Sequence, residues 1–480
     1  MYSSTRFLVT KGELFTTSFM IIYLFICGCF KYECPMILNW FGILFFFYSI
    51  YTWKIKTKDK WLSPYFILMI FFTVFNCGIS IMWALNIHKV NELGTKVMYY
   101  TSGYIPSQKD IIEAQFYTAI SMFVFHLGAL FSVKRNNMPI VKRSILSERN
   151  YLGTKDAMRI VCGALLLITA PVAIYTAARD VILARIYGYG SLYYGSSSTQ
   201  GGYVQILMFF FFPALVGVLI SCDFNKKSKR LCYSIFAVYA FLGVLSGDRG
   251  NWLYSLMVLV WLHSLYKNVS IKKYLQYAVL AVVGIYLLSV VTAARNSGLT
   301  FKLSDFVNAF NAENSPIVDA FYEMGGSIGI ILFFLHSGNE IYPYANTYLT
   351  SILGVVSTRM LSLFGLKQVL IADWFSQDYL KISWGTGFSM IGEAYVNGGY
   401  FGGFVYMSIL GFIHGKILNK ASSAVKENFE PIQLFIAAAS LKAIMGLTRG
   451  ALYLTLKEAF FGVFIVYWMI VFLRKSRTHV

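Results

Sequence analysis

Ala293-Ala-Arg-Asn-Ser-Gly298 closes one series of apolar segments, and Trp384-Gly-Thr-Gly-Phe-Ser-Met-Ile-Gly-Glu-Ala-Tyr-Val-Asn-Gly-Gly-Tyr-Phe-Gly-Gly403 opens the next. Between them lie roughly ninety residues that carry Glu313, Asp319, Glu323, His336, Glu340, Arg359, Asp373 and Asp378. Outside this stretch, apolar runs near twenty residues follow one another closely, the length that a hydrocarbon core of about 30 Å demands of a helix. The chain is 57% hydrophobic and 13% charged, whereas a soluble domain carries about a quarter charged residues. The runs lack the alternation that strands of a membrane barrel require. Pattern and composition therefore define an all-α polytopic membrane protein. It forms a single integral membrane domain over residues 1–480, with one long polar loop at 294–386.

Twelve spans are expected, at about 14–30, 36–52, 62–84, 114–133, 158–177, 204–222, 231–246, 252–266, 274–293, 387–413, 431–447 and 452–473. Within the long loop, 326–335 and 348–366 are apolar enough for interfacial or re-entrant helices, or for two more spans, fourteen in all. Lys and Arg collect on the cytoplasmic side of membrane proteins. Placing the N-terminus inside puts every dense basic cluster there: Lys54 to Lys60, Lys134 to Arg149, Lys226 to Arg230, Lys267 to Lys273, Lys416 to Lys426, and the tail Arg474, Lys475, Arg477. Both termini are then cytoplasmic, and the long loop faces outside with the shorter segments 85–113 and 178–203. The formal charge of +19 follows from this topology and does not imply nucleic acid. The first run has no small-residue cleavage site and reads as a retained helix. The seven Cys lie in or beside spans and read as small apolar residues.

Six Arg break the positive-inside pattern: Arg179, Arg185, Arg249, Arg295, Arg359 and Arg449. Two of them occupy tight connections, Ser246-Gly-Asp-Arg-Gly-Asn-Trp252 and Leu447-Thr-Arg-Gly-Ala451, and each precedes a helix whose N-terminus points outward. Free N–H groups at a helix start, a planar guanidinium and a glycine together suit a phosphate. The alternative is that Asp248 and Thr448 cap their helices while the Arg side chains reach lipid phosphate. Lys442 lies seven residues before Arg449, two helical turns, so both are expected on one face of the eleventh span, where a Lys that deep should face a cavity or a partner. Lys457 and Glu458 form a second possible intramembrane pair, functional or purely structural.

Glu393, beside glycines at the start of the tenth span, is a candidate base for a sugar hydroxyl, or alternatively a salt-bridge partner of Lys442 or an Arg. His336 is the second candidate base. Tyr193, Tyr194, Tyr322 and Trp384 suit stacking on sugars or anchoring at the interface. The six His show no metal-ligand spacing, and no Walker sequence is present.

Ser246-Gly-Asp-Arg-Gly-Asn251, the long loop beginning at Ala293-Ala-Arg-Asn296, Gly385-Thr-Gly-Phe-Ser-Met-Ile-Gly-Glu-Ala-Tyr395 and Thr448-Arg-Gly450 together resemble the bacterial oligosaccharide repeat-unit polymerases, the O-antigen polymerases of Wzy type. The resemblance implies a GT-C-like helical glycosyltransferase of the bacterial cytoplasmic membrane with its site on the extracytoplasmic side. Such an enzyme moves a growing glycan from undecaprenyl pyrophosphate to a sugar hydroxyl of an incoming lipid-linked repeat unit, using neither nucleotide sugar nor metal. It implies Arg249 and Arg449 as pyrophosphate ligands, with Arg295, Arg359, Arg179, Arg185 and Lys442 as further phosphate or glycan contacts. Glu393 or His336 is then the base. Implied partners are the lipid-linked oligosaccharide, membrane lipid, and a chain-length regulator and flippase of the same pathway. An O-antigen-ligase-like transferase shares the donor, and a lipid-linked oligosaccharide flippase shares the size, so both remain rival readings at this level.

Overall fold

A computed structural model describes residues 10–99, 102–133, 145–188, 202–248, 250–266, 315–382, 385–426 and 430–478, with positions 192, 272, 276, 279, 284 and 286. Arg249, Arg295, Tyr193, Tyr194, Trp384 and nearly all of the expected span 274–293 lie outside these residues. Among the described residues the chain is helical, without a β-sheet. The helices are α1 (Lys11–Phe30), α2 (Met36–Thr57), α3 (Pro64–Ala84), α4 (Gln108–Ser132), α5 (Ile145–Tyr187), α6 (Gly202–Ser221), α7 (Lys226–Ser246) and α8 (Asn251–Tyr266). Short helices follow inside the long loop, among them α9 (Pro316–Gly325), α10 (Ile328–Ser337), α11 (Thr347–Leu353) and α12 (Arg359–Ser362), with single turns at Asn339–Ile341 and Ile371–Asp373 and a π-helical segment at Trp374–Tyr379. Then come α13 (Met390–Lys426), α14 (Pro431–Leu447), α15 (Leu452–Glu458), a π-helical segment Ala459–Ile465, and α16 (Val466–Thr478).

Among the described residues about ten stretches are long and apolar enough to cross a membrane, beside the twelve expected, of which the span 274–293 lies almost wholly outside the described residues. The difference has identifiable causes. α8 has 16 residues and α14 has 17, below the usual span, while Pro316–Ser337 qualifies from inside the long loop. Helix ends also run past the apolar windows. α5 continues through Arg179 and Arg185 to Tyr187, so half of the expected outer segment 178–203 is helix. Hydropathy reports where lipid ends, whereas Ala, Leu and Arg go on favouring helix beyond it.

Local chemistry sets the boundaries. Thr10 accepts from the Glu13 N–H at 3.0 Å to start α1, and Ser63 with Pro64 at the first position starts α3. Ser107 and Asp110 form a reciprocal capping box on α4, which satisfies two N–H groups that otherwise have no helical partner. Asn225 accepts from Ser228 N–H at 2.8 Å to start α7.

The centre of the bundle is the α4–α13 pair. Tyr117 faces Gly403, Phe125 faces Gly411 and Ala129 faces Gly415. Both indices rise together, so the two helices run parallel. A Cβ at Gly411 would lie 1.9 Å from the Phe125 carbonyl oxygen, and one at Gly128 would lie 2.0 Å from that of Ser408. Backbone thus touches backbone, the close packing that small residues permit where lipid supplies no hydrophobic drive between helices. At Gly399 the chain adopts φ 63, ψ −160, which a side chain would resist. This breaks α13 into a short leading piece, Met390–Gly398, and a long one that spans.

Pro316–Ser337 meets the connection between α3 and α4 at both of its ends. Near its start, the Tyr322 hydroxyl donates to Ile87 O at 2.8 Å and to Glu92 at 2.9 Å, and Asp319 pairs with Lys89. Near its finish, the His336 ring stacks on Tyr104, 3.8 Å between centroids. α9 and α10 therefore begin and end at one end of the bundle, the end that carries the long loop. Glu92 is the knot of this clasp. Burial opposes its charge, but donation from Trp83, His88, Tyr322 and the Lys89 N–H outweighs burial and holds the carboxyl below the usual range.

Candidate active site

The site begins at the turn Thr448-Arg449-Gly450-Ala451 between α14 and α15. α14 ends at Leu447, and the turn closes on short-range bonds: Thr448 N–H to Met445 O at 3.1 Å and Arg449 N–H to Gly446 O at 3.3 Å. Arg449 therefore leaves the helix, and the shared helical face expected for Lys442 and Arg449 does not extend that far. Its guanidinium lies over the Phe75 ring, 5.7 Å from the centroid. Phe75 stands nine residues before the end of α3, about 13 Å along the axis. The turn is thus sunk below the loop-bearing end of the bundle. Gly387 faces it: its φ of +68 and the 3.5 Å between a would-be Cβ and Arg449 Nε mark a close approach.

Glu393 is 1% exposed and holds this turn in place. One carboxylate oxygen accepts from the Leu452 N–H, the first of α15, at 2.7 Å, and the other accepts from the Thr347 hydroxyl at 2.7 Å. Asn397, one turn along from Glu393, donates to the Thr347 hydroxyl oxygen at 2.7 Å and to Glu393 O at 2.8 Å, and accepts from the Thr347 N–H at 2.7 Å. The network joins the long loop, the leading piece of α13 and the Arg449 turn. Sequence reading missed Thr347 and Asn397, although the four-residue spacing from Glu393 to Asn397 was a visible signal. The helix-start N–H expected to be free for phosphate is occupied by Glu393. Thr448 caps the preceding helix instead, its hydroxyl donating to Met445 O at 2.6 Å.

The second Arg–Gly connection approaches the same place. Gly250 N–H donates to Asp248 at 3.0 Å, and Trp252 Nε1–H donates to Asp248 O at 2.7 Å. Tyr254 lies within electrostatic reach of both Asp248 and Arg449. Asp248, Glu458 and Asp180 all lie within electrostatic reach of Tyr239. Arg179 meets Asp180 at 3.3 Å. Lys442 pairs with Glu458, while Lys457 lies over the Tyr453 ring at 4.8 Å. Among the described contacts the expected Lys457–Glu458 pair does not form: Glu458 is taken by Lys442, and Lys457 turns to the Tyr453 ring. Among the described residues, Arg449 has no carboxylate within ion-pair distance.

The structure therefore gathers Arg449, Arg179, Lys442 and the Asp248 turn, with Glu393 as a tie beneath them. Arg185 and Arg359 are exposed, and no described contact joins them to this group. His336 is exposed on the loop side, stacked on Tyr104, two residues from Phe334, which packs against Phe388 at 6.0 Å.

Compared with protein families, residues 13–478 match the description O-antigen polysaccharide polymerase Wzy. The chain belongs to this family. No curated protein and no solved structure matches it. As a Wzy family member it is a multi-pass membrane glycosyltransferase that polymerises lipid-linked O-antigen repeat units. Among the described contacts Arg449, like Lys457, meets an aromatic ring and no carboxylate partner.

Proposed function

We propose that the Arg449 turn binds the pyrophosphate of an undecaprenyl-linked glycan at the extracytoplasmic face of the bacterial cytoplasmic membrane, within a GT-C-like bundle. The observation that carries this reading is Arg449 itself, a half-buried cation facing a glycine and an aromatic ring with no carboxylate within ion-pair distance among the described residues. Uncompensated charge in a low-dielectric site is costly, and a pyrophosphate supplies the compensation. The basic clusters on the opposite side of the chain support the outward orientation.

In this reading the hydroxyl of the incoming repeat unit attacks the anomeric carbon of the growing chain. The new glycosidic C–O bond forms as the bond to pyrophosphate breaks, and the negative charge passes to the departing lipid pyrophosphate. Arg449 stabilises that charge, aided by Arg249 from the neighbouring turn and by Arg179 and Lys442, whose carboxylate partners tune the local field. Both oxygens of Glu393 are engaged, so its role here is to position the turn. His336, an open imidazole at the loop-bearing end, receives the hydroxyl proton. Arg295, Arg185 and Arg359 are outer contacts for glycan or phosphate. The chain-length regulator and flippase of the pathway are its partners.

The test is purified protein with a synthetic undecaprenyl-pyrophosphate repeat unit and no nucleotide. Polymer is expected from the native chain and none from Arg449→Ala. Normal chain growth by a correctly inserted Arg449→Ala protein overturns the assignment.

A further inference from the structure

The segment α11–α12 has its polarity reversed. Thr347, Thr350 and Ser351 are buried, alongside Tyr348 and Leu361, whereas Leu349, Ile352, Val356, Met360, Leu363 and Phe364 are exposed, Leu363 at 81% and Phe364 at 63%. In water such a face is a liability, since exposed apolar patches mark contact with something apolar. Inside-out polarity is what a lipid environment selects. Three further observations narrow what covers this face. α11 packs along α15, whose Leu454 is also exposed, so the patch continues the outer surface of the last span. Arg359 stands exposed amid the apolar residues, a fixed positive fork beside an apolar strip, which matches an amphiphile with a phosphate head and a hydrocarbon tail. The buried side of α11 carries Thr347, whose hydroxyl reaches Glu393 and through it the Arg449 turn.

We propose that α11–α12 is a docking platform for a polyprenyl-pyrophosphate substrate, its tail lying on the Leu349–Phe364 face and its phosphate held by Arg359 before transfer to Arg449. This rests on the reading of Arg449 given above. Arg359 then contacts substrate on arrival, separately from the residues around the reacting atoms.

The experiment places the photoreactive amino acid benzoylphenylalanine at position 363 of the full chain, in phosphatidylethanolamine vesicles with radiolabelled undecaprenyl pyrophosphate. Light is expected to produce a labelled adduct. Arg359→Ala should lower labelling about tenfold, since a guanidinium–phosphate contact is a strong charge-assisted pair. Undecaprenol, lacking phosphate, should label weakly, and excess phosphatidylglycerol should leave labelling unchanged. Competition by phosphatidylglycerol equal to that by unlabelled substrate, or equal labelling from the lipid-facing position 412, would mean ordinary bilayer lipid only and overturn the proposal. So would the absence of any adduct. An Arg449→Ala chain should keep the adduct at 363 while making no polymer. Polymer from that variant with labelling intact would overturn the active-site reading and leave the platform standing.

Discussion

Two cations at opposite ends of the bundle, Lys56 buried and Arg449 half-buried, show what a membrane protein does with charge. At the end away from the long loop, Lys56 of α2 meets Glu13 of α1 at 2.9 Å, with the two side chains 8% and 5% exposed. Nearby polar groups are paired as well: His126 bonds Thr52 at 2.8 Å and Tyr65 at 2.6 Å, and Trp53 stacks on Tyr65, although Glu13 Oε2 is buried without a hydrogen-bond partner among the described residues. At the loop-bearing end Arg449 is met by an aromatic face, a glycine and no carboxylate among the described residues. The first arrangement is closed and structural. The second leaves its cation without a protein counter-charge among the described residues, and the difference separates a fold element from a candidate binding site. Lys442 with Glu458 lies between the two, paired yet beside the site.

The contrast can be broken in several ways. The largest effect is expected from Arg449→Ala, which should cut chain growth on the order of 10²–10³-fold, the usual loss for one preorganised charge-stabilising group. Arg449→Lys should recover only part of it, lacking the bidentate fork. Rates of polymer formation from synthetic lipid-linked repeat unit measure both, and full recovery by Lys would argue that a point charge suffices.

His336→Gln should slow turnover on the order of 10²-fold with little change in KM, as for loss of a general base. An unchanged kcat removes His336 from the chemistry. Glu393→Gln keeps one acceptor and should be milder than Glu393→Ala, which leaves the Leu452 N–H buried and unanswered. The Ala variant should lose affinity for the lipid-linked donor as the Arg449 turn loosens, and Thr347→Val should reproduce part of this defect. If Glu393→Ala lowered kcat alone, with KM unchanged, a base would be the better description.

On the closed side of the comparison, Glu13→Gln should destabilise the folded protein by about 3–5 kcal/mol, because Lys56 is left as an uncompensated buried charge. The double variant Glu13→Leu with Lys56→Met should regain most of that. Thermal unfolding in detergent reports the loss, while chain growth per folded molecule should stay at the native level. A drop in specific activity would show that the two ends are coupled.

The smallest effect concerns the Glu92 clasp. Its carboxyl is held below the usual range when folded. The stability it contributes is therefore complete at neutral pH and is lost as pH falls through its depressed folded value, where the carboxyl protonates in the folded state too. Amide exchange in α9 and in the 85–107 connection should speed up below about pH 4 in the native protein, and Glu92→Gln should remove that step. An identical acid response in the variant would place the titrating group elsewhere.

Much of this was readable before any coordinates. Twenty-residue apolar runs declare membrane helices, and the one-sided basic clusters declare an orientation. The Arg–Gly turns at Arg249 and Arg449 stood out because Arg there violates that bias. Pro316–Ser337 was harder. Its apolarity suits a span, and only its contacts with Lys89, Glu92 and Tyr104 show that both ends meet one connection. Glu393 was visible as a buried carboxylate but ambiguous among base, ion pair and cap, because each of those roles is defined by a partner distant in the chain: Thr347 lies 46 residues away and Leu452 lies 59.

The sequence by itself determined the solvent: composition and run length commit the chain to lipid, and to helices, since a backbone in hydrocarbon must satisfy its own hydrogen bonds. Tertiary structure alone decided which charges are answered. Hydropathy adds along the chain, one residue at a time, whereas the pairing of Lys442 with Glu458, the capture of the Leu452 N–H by Glu393 and the aromatic and glycine surroundings of Arg449 depend on which helices meet. The packing of glycine-lined helices settles those meetings through contacts a few ångströms long, and no linear pattern records them.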